Sequence, residues 1–287
     1  LFSTKKLYDM LEHLTIDREQ LKNIYNRYKS EDDGMKIYNY NPLRMKPILK
    51  NNDKLYLPMP QLLFKGITEG FYHWLCSQSQ YEEFRKDFGK YVFESYINKI
   101  LKWNASEYKI IPEFEYTNTI GHNTVLSPDF ILVKRNNLIY IEAKSTTLTN
   151  KLQSTDIKEY LSQLEKAYAT AVIQCLKKEK HLKNGDLYHK KIPSNIDKIY
   201  YLIITLENFH IPPSTYMQEN IIDMCAKEGE NLSKDKHFHV MGIEILEEIL
   251  EQDNRDLFQF LKFREEENQT FNTLPSTDVN KDSVKKE

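Results

Sequence analysis

Two short apolar runs, residues 130–133 and 138–143, are separated only by Lys134, Arg135, Asn136 and Asn137. This arrangement constrains the fold more than any other feature of the chain. Four polar residues can reverse a chain but cannot make a crossover, so the two runs pair as an antiparallel hairpin. A long amphipathic stretch follows at about residues 156–178, with Ile157, Tyr160, Leu161, Leu164, Ala167, Tyr168, Ala171, Val172 and Cys175 along one stripe. After a basic polar loop, residues 199–206 read as a buried strand. Two strands, a helix and a further strand build a mixed sheet that carries helices on its faces.

The flanks extend this α/β reading. Residues 81–102 form a helix with Tyr81, Phe84, Phe88, Tyr91, Val92, Ser95 and Tyr96 on one face. Gly89 lies inside it, where glycine costs about 1 kcal/mol against alanine. A closely packed backbone or an approaching ligand accounts for such a residue. Residues 108–116 form a strand with Pro112 near its middle, which places it at an edge or a bend. Further on come a helix at 216–227, a strand at 237–244 and a helix at 246–264, and residues 265–287 lack periodicity and read as disordered. Residues 1–76 make an accessory, mostly helical region: helical spacing over 3–29 with a break at Thr15-Ile16-Asp17, turns over 30–60, and a helix over 61–75. A second domain, α/β in class, spans residues 77–264.

The hairpin carries the chemistry. Glu142 and Lys144 are two apart on a strand and share a face, while Ile139, Ile141 and Ala143 point the other way. If Val133 pairs with Leu138, Asp129 falls opposite Glu142, where facing side chains have Cβ atoms about 5 Å apart. Two carboxylates at that spacing repel unless a cation sits between them. With no arginine to compensate, the pair suits a hard divalent ion with oxygen ligands, most simply Mg²⁺. A strand carrying a solvated Glu–Lys pair is the plainer alternative. An odd loop length would move the register by one and remove the argument.

Pro128-Asp129, twelve residues, and then Glu142-Ala143-Lys144 resembles the signature of the PD-(D/E)XK nuclease superfamily, over about residues 80–206. The resemblance implies a restriction-endonuclease-like core in a metal-dependent nuclease. Asp129 and Glu142 would bind Mg²⁺, with Mn²⁺ able to substitute, and Lys144 would position the attacking water. The Ala143 carbonyl would be a further ligand. Many members add a glutamate on the preceding helix, for which Glu94 is the match; a solvated helix carboxylate is the equal alternative. Some relatives carry a glutamine on the following helix with a tyrosine four residues on. Gln163 fits the first position, but Ala167 occupies the second and Tyr168 belongs to the core. DNA is the expected substrate, a restriction or host-defence setting follows by analogy, and a homo-oligomer or defence-complex partner is the associated expectation. The alternative is a non-catalytic nucleic-acid-binding or assembly module on the same fold.

Composition sets the limits. The formal net charge is -2, so nucleic acid must be gripped by a local patch and not by a basic coat. The densest patch is Lys177 to Lys183 with His189-Lys190-Lys191, readable as phosphate contact or as a solvated loop; Lys151 and Lys158 lie nearer the motif. His237 and His239 share a strand face but have no third ligand nearby in sequence. Cys76, Cys175 and Cys225 are too few and scattered for a disulfide framework. The chain starts at Leu1, as a trimmed or partial protein would. It shows no charged-then-apolar leader and no membrane-length run, so a soluble, cytoplasmic protein without a membrane partner is expected.

Overall fold

The computed structural model describes residues 4–28, 41–44, 46–76, 81–119, 121–145, 157–206, 214–232, 236–251 and 256–267. Contacts divide the chain into one unit of Leu1–Lys86 with Leu148–Tyr160 and a second of Asp87–Thr147 with Leu161–Glu287.

In the first unit, helices α1 (Thr4–His13) and α2 (Arg18–Tyr28) flank strand β1 (Thr15–Asp17). The break is enforced by a reciprocal cap. Asp17 Oδ1 accepts the Gln20 N–H at 2.7 Å, and Gln20 Oε1 accepts the Asp17 N–H at 3.4 Å. β1 pairs in parallel with β2 (Ile48–Asn51), which turns through Asn52 into antiparallel β3 (Lys54–Tyr56). Leu14, just before β1, and Ile16 and Ile48 within the two strands are buried. Helix α3 (Pro60–Cys76) starts on a proline, whose missing N–H costs nothing at a first helical position. Helix α4 (Tyr81–Asp87) follows.

The second unit is a mixed α/β layer structure. The expected helix over 81–102 is three pieces: α4, a π-turn over Phe88–Phe93, and α5 (Glu94–Asn104). The sheet has the order β10-β9-β8-β7-β4. Antiparallel β4 (Lys109–Pro112), β7 (Phe130–Lys134) and β8 (Asn137–Lys144) form one half, and β9 (Lys198–Thr205) and β10 (Phe238–Gly242) join in parallel. β4 is one of the two edge strands and ends at Pro112, which cannot donate to a ladder. The rest of the expected 108–116 strand is β5 (Glu115–Asn118), paired with β6 (Asn123–Leu126) in a separate hairpin.

Both faces of the sheet are covered, which explains its near-continuous apolar strands. One face packs Leu132, Ile141 and Leu202 with Ile97 and Leu101 of α5 and Leu246 of helix α8 (Ile243–Glu251). On the other face lies α6 (Ile157–Lys183), tied down by side-chain bonds to Glu142, Lys144 and Tyr201. Helix α7 (Ser214–Lys227) precedes β10.

The single helix expected over 246–264 is instead α8 and α9 (Leu257–Glu266). Asp256, extended at φ -93° and ψ 121°, caps α9 by accepting the Phe258 N–H at 2.9 Å. α9 runs past residue 264, and residues 268–287, expected to be disordered, lie outside the described residues. Among the described residues, no helix is long and apolar enough to cross a membrane.

Candidate functional site

β7 and β8 pair in the register the hairpin predicts, with Val133 opposite Leu138 and Phe130 opposite Ile141. The reversal is tighter than four residues, because Lys134 also pairs with Asn137 and leaves Arg135 and Asn136 to turn. Arg135 takes a left-handed φ of 54° to do so. Two and four are both even, so the register is unchanged. Asp129 is the residue immediately before β7 and stands level with Glu142 at the carboxyl end of β8. Its Oδ2 accepts the Ala143 N–H at 2.7 Å. In an extended strand the N–H and C=O of one residue point to the same side. The Ala143 carbonyl therefore also faces Asp129.

Glu142 is buried, with 3% of its side chain exposed, and each carboxylate oxygen is met by an ammonium. Lys144 Nζ donates to Oε2 at 3.2 Å, and Lys178 Nζ donates to Oε1 at 2.5 Å. Lys144 Nζ also donates to Gln174 Oε1 at 2.9 Å. Gln174 and Lys178 are four residues apart on α6 and so share a helix face. An unpaired carboxylate at this depth would cost several kcal/mol, a penalty that the two ammonium groups offset.

Asp129 is less well served. Burial and the neighbouring Glu142 push its carboxyl up to about 7; Glu94 adds to this, while the Ala143 N–H and Lys144 pull back. Glu94 is itself raised, by burial and by Glu113 and Glu142, against the downward pull of Lys90. Lys90 lies between Glu94, at 3.0 Å, and Glu113. Asp129, Glu142 and Glu94 thus share one electrostatic neighbourhood. They are oxygen donors of the kind hard divalent ions take, with the Ala143 carbonyl beside them. As the side chains stand, no group of three His, Cys, Asp or Glu residues is gathered around a metal position among the described residues.

The structure brings Asp129, Glu142, Ala143 and Lys144 together and sets Glu94 within electrostatic reach. It does not bring in Gln163, which is exposed and eleven residues before Gln174, roughly 16 Å along the helix axis. Gln174 takes the place expected of Gln163. Tyr168 is buried, as expected of a core residue.

The basic patch also changes character, because residues 177–183 are helix. Lys178 turns into the site, Lys180 pairs with Glu230 at 2.7 Å, and Lys183 pairs with Glu179 at 2.8 Å. Lys151 and the Lys158 side chain lie outside the described residues. His239 is fully buried next to Glu265. Cys175 and Cys225 are free, buried thiols.

Sequence reasoning missed Gln174 and placed Lys178 only in a basic patch, not beside Glu142. A signal existed: they flank Cys175, the last residue of the apolar stripe, at a four-residue spacing. The stripe therefore continues into polar side chains that face the sheet.

Fold and site together define a mixed α/β protein with a carboxylate–lysine centre at the end of its central strand. Compared with known proteins, the chain matches no family model, and no curated protein is similar to it.

Proposed function

We propose that this chain is a metal-dependent nuclease, a phosphodiester hydrolase acting on nucleic acid with DNA the expected substrate, on a restriction-endonuclease-like core. The observation that carries this reading is the meeting of Asp129, Glu142 and Lys144 at one end of β8, with the Ala143 backbone turned toward Asp129. A partly buried Asp129 carboxyl, raised by desolvation and by its acidic neighbour Glu142, marks a place where negative charge exceeds what the fold neutralises. A divalent ion would relieve that excess.

Asp129, Glu142 and the Ala143 carbonyl would hold Mg²⁺, or Mn²⁺ in its place, with Glu94 contributing from the helix side. Bound there, the ion supplies Lewis-acid polarisation of the scissile phosphate and a more acidic water. Lys144 has three N–H donors, and two are committed to Glu142 and Gln174. The third is left to orient the attacking water or a phosphate oxygen. Gln174 fixes the amine so that its charge is already in place when negative charge builds on phosphorus. The N–H of Ala143 orients Asp129 by binding one of its oxygens.

The test is incubation of plasmid DNA, and separately of RNA, with the protein and Mg²⁺ or Mn²⁺. Wild type is expected to cleave, and Asp129→Ala and Lys144→Ala to lose activity by about a hundredfold or more. Wild type and both variants behaving identically would refute the reading and leave a non-catalytic binding or assembly module.

A further inference from the structure

Glu142 has two carboxylate oxygens, and this chain fills both with its own ammonium groups. The nearer one is not Lys144 of the strand motif but Lys178, from α6, at 2.5 Å against 3.2 Å. The Lys178 side chain is 14% exposed and that of Glu142 3%, so this ion pair is largely withdrawn from solvent. We propose that Lys178 is a built-in counter-cation that holds one carboxylate oxygen of Glu142 until a divalent ion displaces it, and so sets how readily the centre loads. The inference rests on the reading of Asp129 and Glu142 as metal ligands.

Three observations support it. The first is competition for one carboxylate. Lys178 Nζ at 2.5 Å from Oε1 and Lys144 Nζ at 3.2 Å from Oε2 already give both oxygens a positive neighbour, so an arriving cation meets like charge until Lys178 withdraws.

The second is the construction of the pair. Lysine is a compact point charge on a flexible stem and can withdraw without moving the helix. Lys144 is held separately by Gln174, one turn away on the same helix face, so the lysine assigned to the attacking water keeps its place when Lys178 moves.

The third is charge balance. With Lys178 withdrawn, Asp129, Glu142, Glu94 and Glu113 face only Lys144 and Lys90, which leaves two negative charges over. One divalent ion neutralises both, so exchanging Lys178 for the ion leaves the site balanced.

A supporting role in the fold predicts the opposite response to mutation. Without Lys178, a Glu142 that depended on it for position would bind a metal no better, or worse. The experiment is isothermal titration of Mn²⁺ into the full chain without nucleic acid, for wild type, Lys178→Gln, Lys178→Arg and Asp129→Ala. Lys178→Gln is expected to bind Mn²⁺ about tenfold more tightly, through loss of an adjacent positive charge. Unchanged or weaker binding overturns the proposal.

If Lys178→Gln does not fold, Lys178→Arg decides the question. The arginine fork grips a carboxylate through two bonds and keeps its charge. It is expected to weaken Mn²⁺ binding at least about threefold, and equal or tighter binding overturns the proposal. The Asp129→Ala control separates the two claims. Identical heats for wild type and Asp129→Ala refute the metal centre and this inference with it. Wild-type binding that Asp129→Ala abolishes and Lys178→Gln leaves unaltered refutes only the inference.

Discussion

Asp129 is held where its charge is unwelcome, with burial and Glu142 pushing its carboxyl up to about 7. Asparagine at this position keeps an oxygen for the Ala143 N–H and removes the buried charge. Asp129→Asn is therefore expected to abolish cleavage while raising the unfolding free energy by about 1 kcal/mol or more, one pKa unit being about 1.4 kcal/mol. Urea unfolding in metal-free buffer at pH 7.5 or so checks it, and a variant less stable than wild type would mean that Asp129 supports the fold. Legibility varied from residue to residue. Asp129, Glu142 and Lys144 could be read from spacing because strand periodicity and an even-length reversal fix which side chains face one another. Lys178 was only half legible: it continues the α6 stripe three residues after Cys175, but nothing local says what the end of that stripe lies against. Only its angular position on α6, level with the end of β8, turns it inward.

At the scale of elements, the π-turn over Phe88–Phe93 is the least expected feature. Apolar spacing over 81–102 predicts one helix, and a single extra residue per turn barely alters that spacing. Gly89 now has a specific reason. A Cβ there would lie 2.7 Å from Ser145 Oγ, next to Lys144, so what crowds it is a side chain and not a backbone. In an open helix Gly→Ala gains about 1 kcal/mol; here the gain should be cancelled. Gly89→Ala is expected to leave stability unchanged or lower. Gly89→Ala with Ser145→Ala is expected to exceed the sum of the single changes by about 1 kcal/mol in a double-mutant cycle. A coupling of zero would mean that the Ser145 hydroxyl simply rotates aside. The division of the expected 246–264 helix into α8 and α9 has a more legible cause, since Asp256 is a good N-cap residue. Its weight comes from partners far away in sequence, with Lys134 at 2.8 Å and the Tyr108 hydroxyl both on its carboxylate.

At the scale of the whole molecule, stability should depend on pH through a residue remote from the chemistry. His239 is fully buried, and burial holds its imidazole down to about 4, against 6.5 for a free side chain. Between those values the unfolded chain binds a proton that the folded one refuses. Its contribution is therefore complete above about pH 6.5 and is lost as the pH falls toward 4, by about 3 kcal/mol in all. Glu265, also lowered, acts in the same direction. Urea unfolding of the second unit at pH 7 and pH 4 should show wild type losing about that much more than His239→Met, and parallel losses would dismiss the imidazole as the cause. By itself, the sequence determined the α/β class, the hairpin and its register, and the grouping of Asp129, Glu142 and Lys144. All of these follow from short-range rules of periodicity and chain reversal. Only the tertiary structure decided which part of α6 lies over the end of β8. That choice excluded Gln163 and brought in Gln174 and Lys178, because the position of a helix along a sheet is set by the packing of its whole buried stripe and not by any local signal.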